Sequence, residues 1–329
     1  MRGNARKVTV IGAGAWGTAL ALQALRAGGE VSLWVREPAR ALAVDARREN
    51  ALHLPGTPLP DGLAVTADAG AALAGASLAV LAVPTQHLGA VLRDLGALPP
   101  SLVVAKGVET GTLRFPLEIL AEARPGLPAA VLSGPNFAHE VAAGLPAAAV
   151  VAGSDAALRE AALARLSSPG FRLYEGADPM GVQVAGAAKN VAAIAAGAVM
   201  GAGLGENARA ALVTRCLAEI ARLAVALGGR AETVAGLSGL GDLMLTCAGA
   251  GSRNFSLGLA LGRGESAAKV LAGRASVTEG VATAPALLAR AARAGVELPV
   301  CAAVAAVLDG TLAVGDAVEL LMGRPPRAE

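Results

Sequence analysis

Short apolar runs bounded by glycine and polar residues alternate with helical patterns through the first half of the chain. Residues 7–11, 30–35, 78–82, 102–105, 130–132 and 147–151 read as strands. Helical spacing of apolar positions lies between most of them, as at 15–27, 87–95 and 156–166. Such alternation predicts a parallel sheet covered by helices on both faces. Right-handed crossovers then bring the strand C-termini to one edge, where ligands bind. After about residue 178 the pattern changes. Long Ala/Leu-rich helical stretches at 181–199, 208–227, 254–261, 284–294 and 299–308 take over. The predicted fold is α/β: a doubly wound parallel sheet over residues 1–178 and an all-α C-terminal domain over 179–329. The boundary falls at Asp178-Pro179, because proline disfavours helix in the residue before it.

Composition narrows the picture. Of 329 residues, 54% are hydrophobic and only 2% aromatic, so the cores must be aliphatic and built by close packing of small side chains. A net charge of +2 without a basic stripe argues against a nucleic-acid partner. Cys216, Cys247 and Cys301 are far apart, and His53, His87 and His139 are scattered, so no metal site is expected. The apolar segment 191–204 is flanked by Lys189 and Glu206 and falls short of the roughly 20 strongly apolar residues of a membrane span. It reads as a buried helix, with no membrane span expected. The run at 8–11 is too short for a signal-peptide core, and a cytoplasmic location with reduced thiols follows as an expectation.

Gly12-Ala13-Gly14-Ala15-Trp16-Gly17 sits between the first strand and the first helix. In that context Gly12 allows the tight turn, Gly14 lets the backbone approach a pyrophosphate, and Gly17 lets the helix pack on the sheet. The helix start offers free N–H groups to phosphates. The first domain therefore reads as Rossmann-type and dinucleotide-binding. The second strand ends in Trp34-Val35-Arg36-Glu37. An arginine at that point can pair with a 2′-phosphate, whereas an acid there holds a ribose 2′-hydroxyl, so NADP and NAD both remain open. Arg36 as a solvated loop residue is the bland alternative.

The remaining chemistry is polar residues in apolar surroundings. Lys106 follows a strand on the ligand edge, where it can bind a phosphate or a carbonyl oxygen, or simply face solvent. Ser133-Gly134-Pro135-Asn136 follows the next strand, and Asn136 offers side-chain donors. Lys189 lies in a helix of small residues, Val184-Ala185-Gly186-Ala187-Ala188-Lys189-Asn190-Val191. Burying an ammonium disfavours its charged form, the adjustment a general acid/base needs. Asp242, after Gly236-Leu237-Ser238-Gly239-Leu240-Gly241, could orient Lys189 or a substrate hydroxyl, or act as a helix N-cap. Ser252-Arg253-Asn254 opens a helix and suits an anion such as a substrate phosphate, or plain N-capping.

As a set these motifs resemble bacterial NAD(P)-dependent glycerol-3-phosphate dehydrogenase, and the likeness covers nearly the whole chain. It rests on GAGAWGTALA at 12–21, AKGVE at 105–109, SGPNFAHEVAAGLP at 133–146, GAAKNV at 186–191, NARAALVTR at 207–215, GLSGLGDLMLTC at 236–247, SRN at 252–254 and VTEG at 277–280. The resemblance implies interconversion of dihydroxyacetone phosphate and sn-glycerol 3-phosphate with NAD or NADP, feeding phospholipid synthesis, in a homodimer. It implies Lys189 as the proton donor and acceptor. Lys106, Gly134, Asn136, Asp242, Ser252, Arg253 and Asn254 become substrate contacts. Ala15, Trp16, Arg36, Lys106, Ala138, Arg253, Val277 and Glu279 become cofactor contacts, beside the three glycines. The chain departs from the family at Ala15, where serine is common and would add one phosphate hydrogen bond. Position 136 is Asn where Ser or Thr also occurs.

Two rival readings stay open on sequence. One is a similarly built dehydrogenase acting on a β-hydroxy acid, against which the Ser252-Arg253-Asn254 anion site argues. The other is a nicotinamide-binding regulator without turnover, which has no need of the Lys189, Asp242 and Arg253 set.

Overall fold

A computed structural model describes residues 7–249, 251–273 and 278–325. The chain divides into two compact units. One runs through Lys106 and resumes over Phe115–Pro179; the other holds Gly107–Arg114 and continues from Met180.

The first unit is built on an eight-stranded sheet: β1 (Val8–Ile11), β2 (Val31–Trp34), β3 (Leu63–Thr66), β4 (Leu78–Leu81), β5 (Ser101–Val103), β6 (Ala129–Ser133), β7 (Ala147–Ala152) and β8 (Phe171–Gly176). Their order is β3-β2-β1-β4-β5-β6-β7-β8. Val8 pairs with Val31 on one side and Leu78 on the other, so β1 is central and the strand order reverses beside it. Every residue of β1, β2 and β4 is buried, as expected for strands covered on both faces. The covering helices are α1 (Ala15–Arg26), α2 (Pro38–Arg47), α3 (Ala69–Leu73), α4 (Thr85–Asp94), α5 (Pro116–Ala123), α6 (Ala138–Ala143) and α7 (Ala156–Leu166).

Two strands, β3 and β8, lie outside the strands predicted from sequence. Both stand at the ends of the sheet and leave residues solvent-facing, so their apolar signal is diluted. All neighbours pair in parallel except β6 and β7, which are antiparallel. The link between these two strands holds only the short helix α6.

The second unit is helical: α8 (Pro179–Gly201), α9 (Gly205–Ala226), α10 (Ala231–Val234), a π-helical turn at Leu237–Gly241, α11 (Asp242–Cys247), α12 (Arg253–Gly262), α13 (Ala267–Ala272), α14 (Glu279–Arg293), α15 (Pro299–Asp309) and α16 (Val314–Met322). Helix α8 is long and apolar enough to cross a membrane, but 89% of its apolar window is buried within the protein, which makes it a core helix. Its partner is α12, and the contact is backbone on backbone. A Cβ on Gly197 would stand 2.1 Å from Phe255 O, and one on Gly201 2.2 Å from Leu259 O. Reciprocally, Cβ atoms on Gly258 and Gly262 would meet Ile194 O at 1.9 Å and Ala198 O at 2.2 Å. Glycines spaced by four on both helices thus let the two axes approach far closer than Leu or Val would permit.

Candidate active site

In the sheet unit the turn from β1 into α1 lies at the C-terminal edge. Gly12 has φ +109, and its Cβ would sit 2.6 Å from Ala82 O, so only glycine fits. A Cβ on Gly17 would fall 1.9 Å from Gly12 O, which fixes how closely α1 approaches its own turn. Gly14 differs: a Cβ there would meet nothing within 4 Å. Ala15 and Trp16 form the first turn of α1, which contains no acidic residue. At the end of β2, Arg36 and Glu37 form an exposed ion pair at 3.8 Å.

Further along the same edge, Lys106 follows β5 and Gly134 follows β6. Lys106 Nζ donates to Gly134 O at 3.4 Å. Gly134 has a structural demand of its own, since a Cβ would stand 2.8 Å from Ala148 O on β7. Asn136 Nδ2 donates to the same Ala148 O at 3.1 Å, while its Oδ1 is buried with no hydrogen-bond partner. Ala138 begins α6 and packs against the sheet core.

In the helical unit the central feature is a buried cluster. Lys189 on α8 is 8% exposed and Asp242 is fully buried. Lys189 Nζ donates to Asp242 Oδ1 at 2.5 Å and to Thr246 Oγ1 at 3.1 Å. Thr246 Oγ1 in turn donates to Asp242 O at 2.6 Å. The π-helical turn before Asp242 delivers that carboxylate. A Cβ on Gly239 would stand 1.9 Å from Val234 O, so the turn packs hard on α10 before α11 begins. Asp242 is therefore no N-cap; that position is Gly241, and the Asp242 side chain faces Lys189.

Beside this cluster a second network joins three helices. Asn254 Nδ2 donates to Asn190 Oδ1 at 3.0 Å, and Gly280 N–H donates to Asn254 Oδ1 at 3.1 Å. Ser252 is the N-cap of α12 and accepts from Phe255 N at 3.3 Å. Arg253 follows it at the exposed start of the helix. Glu279 is the first residue of α14. Val277 lies outside the described residues.

This arrangement, a glycine turn on a sheet edge and a buried lysine–carboxylate pair in a helical unit, has known relatives. Residues 7–159 match the model of the NAD-dependent glycerol-3-phosphate dehydrogenase N-terminus, and residues 178–319 that of its C-terminus. The chain belongs to the NAD-dependent glycerol-3-phosphate dehydrogenase family. It is 52% identical to glycerol-3-phosphate dehydrogenase [NAD(P)+] of Caulobacter vibrioides over 98% of both chains. It is 51% identical to the enzyme of the same name from Rhodospirillum rubrum, over 98% of this chain and 93% of that one. A crystal structure of glycerol-3-phosphate dehydrogenase from Coxiella burnetii superposes with a TM-score of 0.92 at 37% identity, covering 97% of this chain and 99% of that one.

The family's nicotinamide dinucleotide fits what the sheet unit offers. The open space at Gly14 lies against a helix start whose N–H groups lack acidic competitors, as a pyrophosphate requires. Arg36 and Glu37 supply a cation for a 2′-phosphate and an acceptor for a 2′-hydroxyl. Thr246, which holds Lys189, is not among the predicted site residues, and Asn190, expected only to serve a neighbouring contact, meets Asn254. The signal for Thr246 was its place four residues after Asp242, on the same face of α11. That for Asn190 was its neighbour Lys189.

Proposed function

We propose that this chain interconverts dihydroxyacetone phosphate and sn-glycerol 3-phosphate with NADH or NADPH, supplying glycerol 3-phosphate for phospholipid synthesis. The observation that carries the reading is the buried Lys189–Asp242 pair, set in a family whose relatives bear that enzyme's name. When bound, the reduced nicotinamide supplies the hydride. Lys189 gives its proton to the oxygen at C2 as the alcohol forms, and takes it back in the reverse direction. Its positive charge stabilises that oxygen as charge develops. Asp242 and Thr246 hold the ammonium in one orientation.

Arg253 and Asn254 take the substrate phosphate at the start of α12, with Ser252 fixing the helix end. The Asn254 oxygen accepts from Gly280 N–H and one Nδ2 hydrogen goes to Asn190 Oδ1, which leaves the second Nδ2 hydrogen for the phosphate. Lys106, Gly134 and Asn136 complete the substrate contacts. Ala15, Trp16, Arg36, Ala138, Val277 and Glu279 serve the cofactor. The working form is a homodimer in the cytoplasm.

The test is oxidation of NADH and of NADPH by purified protein with dihydroxyacetone phosphate, followed by the loss of nicotinamide absorbance. Lys189→Ala should lose orders of magnitude in turnover and still bind nucleotide. Absence of oxidation with either cofactor, or near-normal turnover in Lys189→Ala, would overturn the reading.

A further inference from the structure

The carbonyl of Ala13, inside the glycine-rich turn, is held from behind by two side chains outside the motif. Asn50, beyond the end of α2, is completely buried. Its Nδ2 donates to Ala13 O at 2.9 Å and to Thr18 Oγ1 at 2.8 Å. Thr18 Oγ1 passes the connection on, donating to Gly14 O at 2.9 Å. Arg40, in the first turn of α2, brings Nη2 to 2.5 Å from the same Ala13 O. Both lone pairs of that carbonyl are thereby used. Asn50 Oδ1 and Arg40 Nε stay buried without partners, so both groups are placed for these donations rather than for their own satisfaction.

A peptide unit is planar and trans, so its C=O and N–H point in opposite directions. Gripping Ala13 O fixes the N–H of Gly14 on the other side. That N–H meets no acceptor among the described residues. Gly14 sits at φ -74 with open space around it, which keeps the approach to the turn clear, but a glycine also reaches the other φ values that a flipped peptide needs. A flipped peptide would aim carbonyl lone pairs at an anion. We propose that Asn50 and Arg40 are positioning residues that lock the Ala13–Gly14 peptide with its N–H toward the cofactor pyrophosphate. The inference rests on the dinucleotide reading of the turn. It adds two residues that the glycine motif does not contain.

The test is calorimetric binding of three probes: ADP-ribose, NADPH and adenosine 2′-monophosphate. The last carries no 5′-phosphate to reach the turn. Binding of ADP-ribose to the unaltered protein checks the dinucleotide reading by itself. Asn50→Ala should weaken ADP-ribose and NADPH alike by about tenfold, the scale of one lost hydrogen bond to a charged group, and leave adenosine 2′-monophosphate unchanged. Asn50→Asp, which sets an acceptor against Ala13 O, should do worse. Arg40→Ala should weaken the same two probes, and Arg40→Lys should recover most of the loss. Because Arg40 is only partly buried, its variants keep the test decisive if the Asn50 variants fail to fold. Unchanged ADP-ribose affinity in Arg40→Ala, or an equal loss for adenosine 2′-monophosphate, would overturn the proposal.

Discussion

Lys189 Nζ stands 2.5 Å from Asp242 Oδ1, with the carboxylate wholly buried and the lysine side chain 10% exposed. A pair this enclosed is costly to break, because the surviving charge has no water to turn to. Asp242→Asn should therefore cost about 3–5 kcal/mol of stability in urea unfolding. It should also reduce turnover by about 10²–10⁴-fold, the range of a misplaced acid/base. The paired change Lys189→Met with Asp242→Leu should recover much of the stability and none of the activity. A single Asp242→Asn variant as stable and active as the parent would remove Asp242 from the mechanism.

The α8–α12 contact makes an equally sharp demand. A methyl at Gly258 would stand 1.9 Å from the carbonyl of Ile194, which is backbone and cannot swing aside. Gly258→Ala should destabilise the protein by about 1–3 kcal/mol or more. It should also lower activity, because Asn254 lies one helical turn away and meets Asn190 across the same contact. Gly315→Ala is the matching control. It lies on α16 with open space around it and should gain about 0.5–1 kcal/mol of helix propensity. Thermal melts of the two variants should move in opposite directions.

The polar residues of the site were legible because each interrupts an apolar segment. Lys189 among alanines, and Asp242 after a run of glycines, announce themselves by contrast. Their pairing was not legible. The two are 53 residues apart, and a helix cap and an ion pair call for the same side chain at position 242. The clamp on Ala13 hid for a related reason: Asn50 is 37 residues from its target, in a segment without periodicity. Central strands such as β4 announced themselves as unbroken apolar runs. In β8 only Phe171 and Leu173 are buried while Arg172 and Tyr174 face out, a period-two signal too short to stand against its glycine and glutamate. The small-residue core followed from composition, though not which glycines touch.

Glu219 gives the stability a pH dependence. It is buried on α9, and its Oε1 accepts from Val300 N at 2.8 Å, capping α15, while Oε2 is unpaired. Burial pushes its carboxyl above the ordinary 4.5, and the backbone hydrogen bonds from Val300 and Cys301 oppose this only in part. A raised folded-state value means that the protonated form suits the fold. The contribution is complete below the unfolded value and is lost as pH rises through the folded one. Glu219→Gln keeps an acceptor for Val300 N–H and removes the charge. Its melting temperature should fall less than that of the parent as pH rises from about 4.5 toward neutrality. Parallel curves for the two proteins would show that Glu219 ionises without cost.

The three cysteines should report on unfolding rather than on chemistry. All are free and buried. Burial raises the Cys216 and Cys301 thiols, and it lifts Cys247 to about 12 although Lys189 and Arg209 pull the other way. The thiolate is the reactive species, and at neutral pH almost none is present in the fold. A chromogenic disulfide reagent should therefore label no cysteine of the native protein promptly and all three in urea. Any slow labelling should follow the rate or extent of opening, and saturating NADPH should retard it, because a ligand of the folded state suppresses opening. Cys247 provides the internal check: it adjoins Asp242 and Lys189 in the helical unit, so its labelling should coincide with loss of turnover. Prompt modification of Cys247 with activity retained would mean that the Lys189 cluster is open to solvent, contrary to its burial.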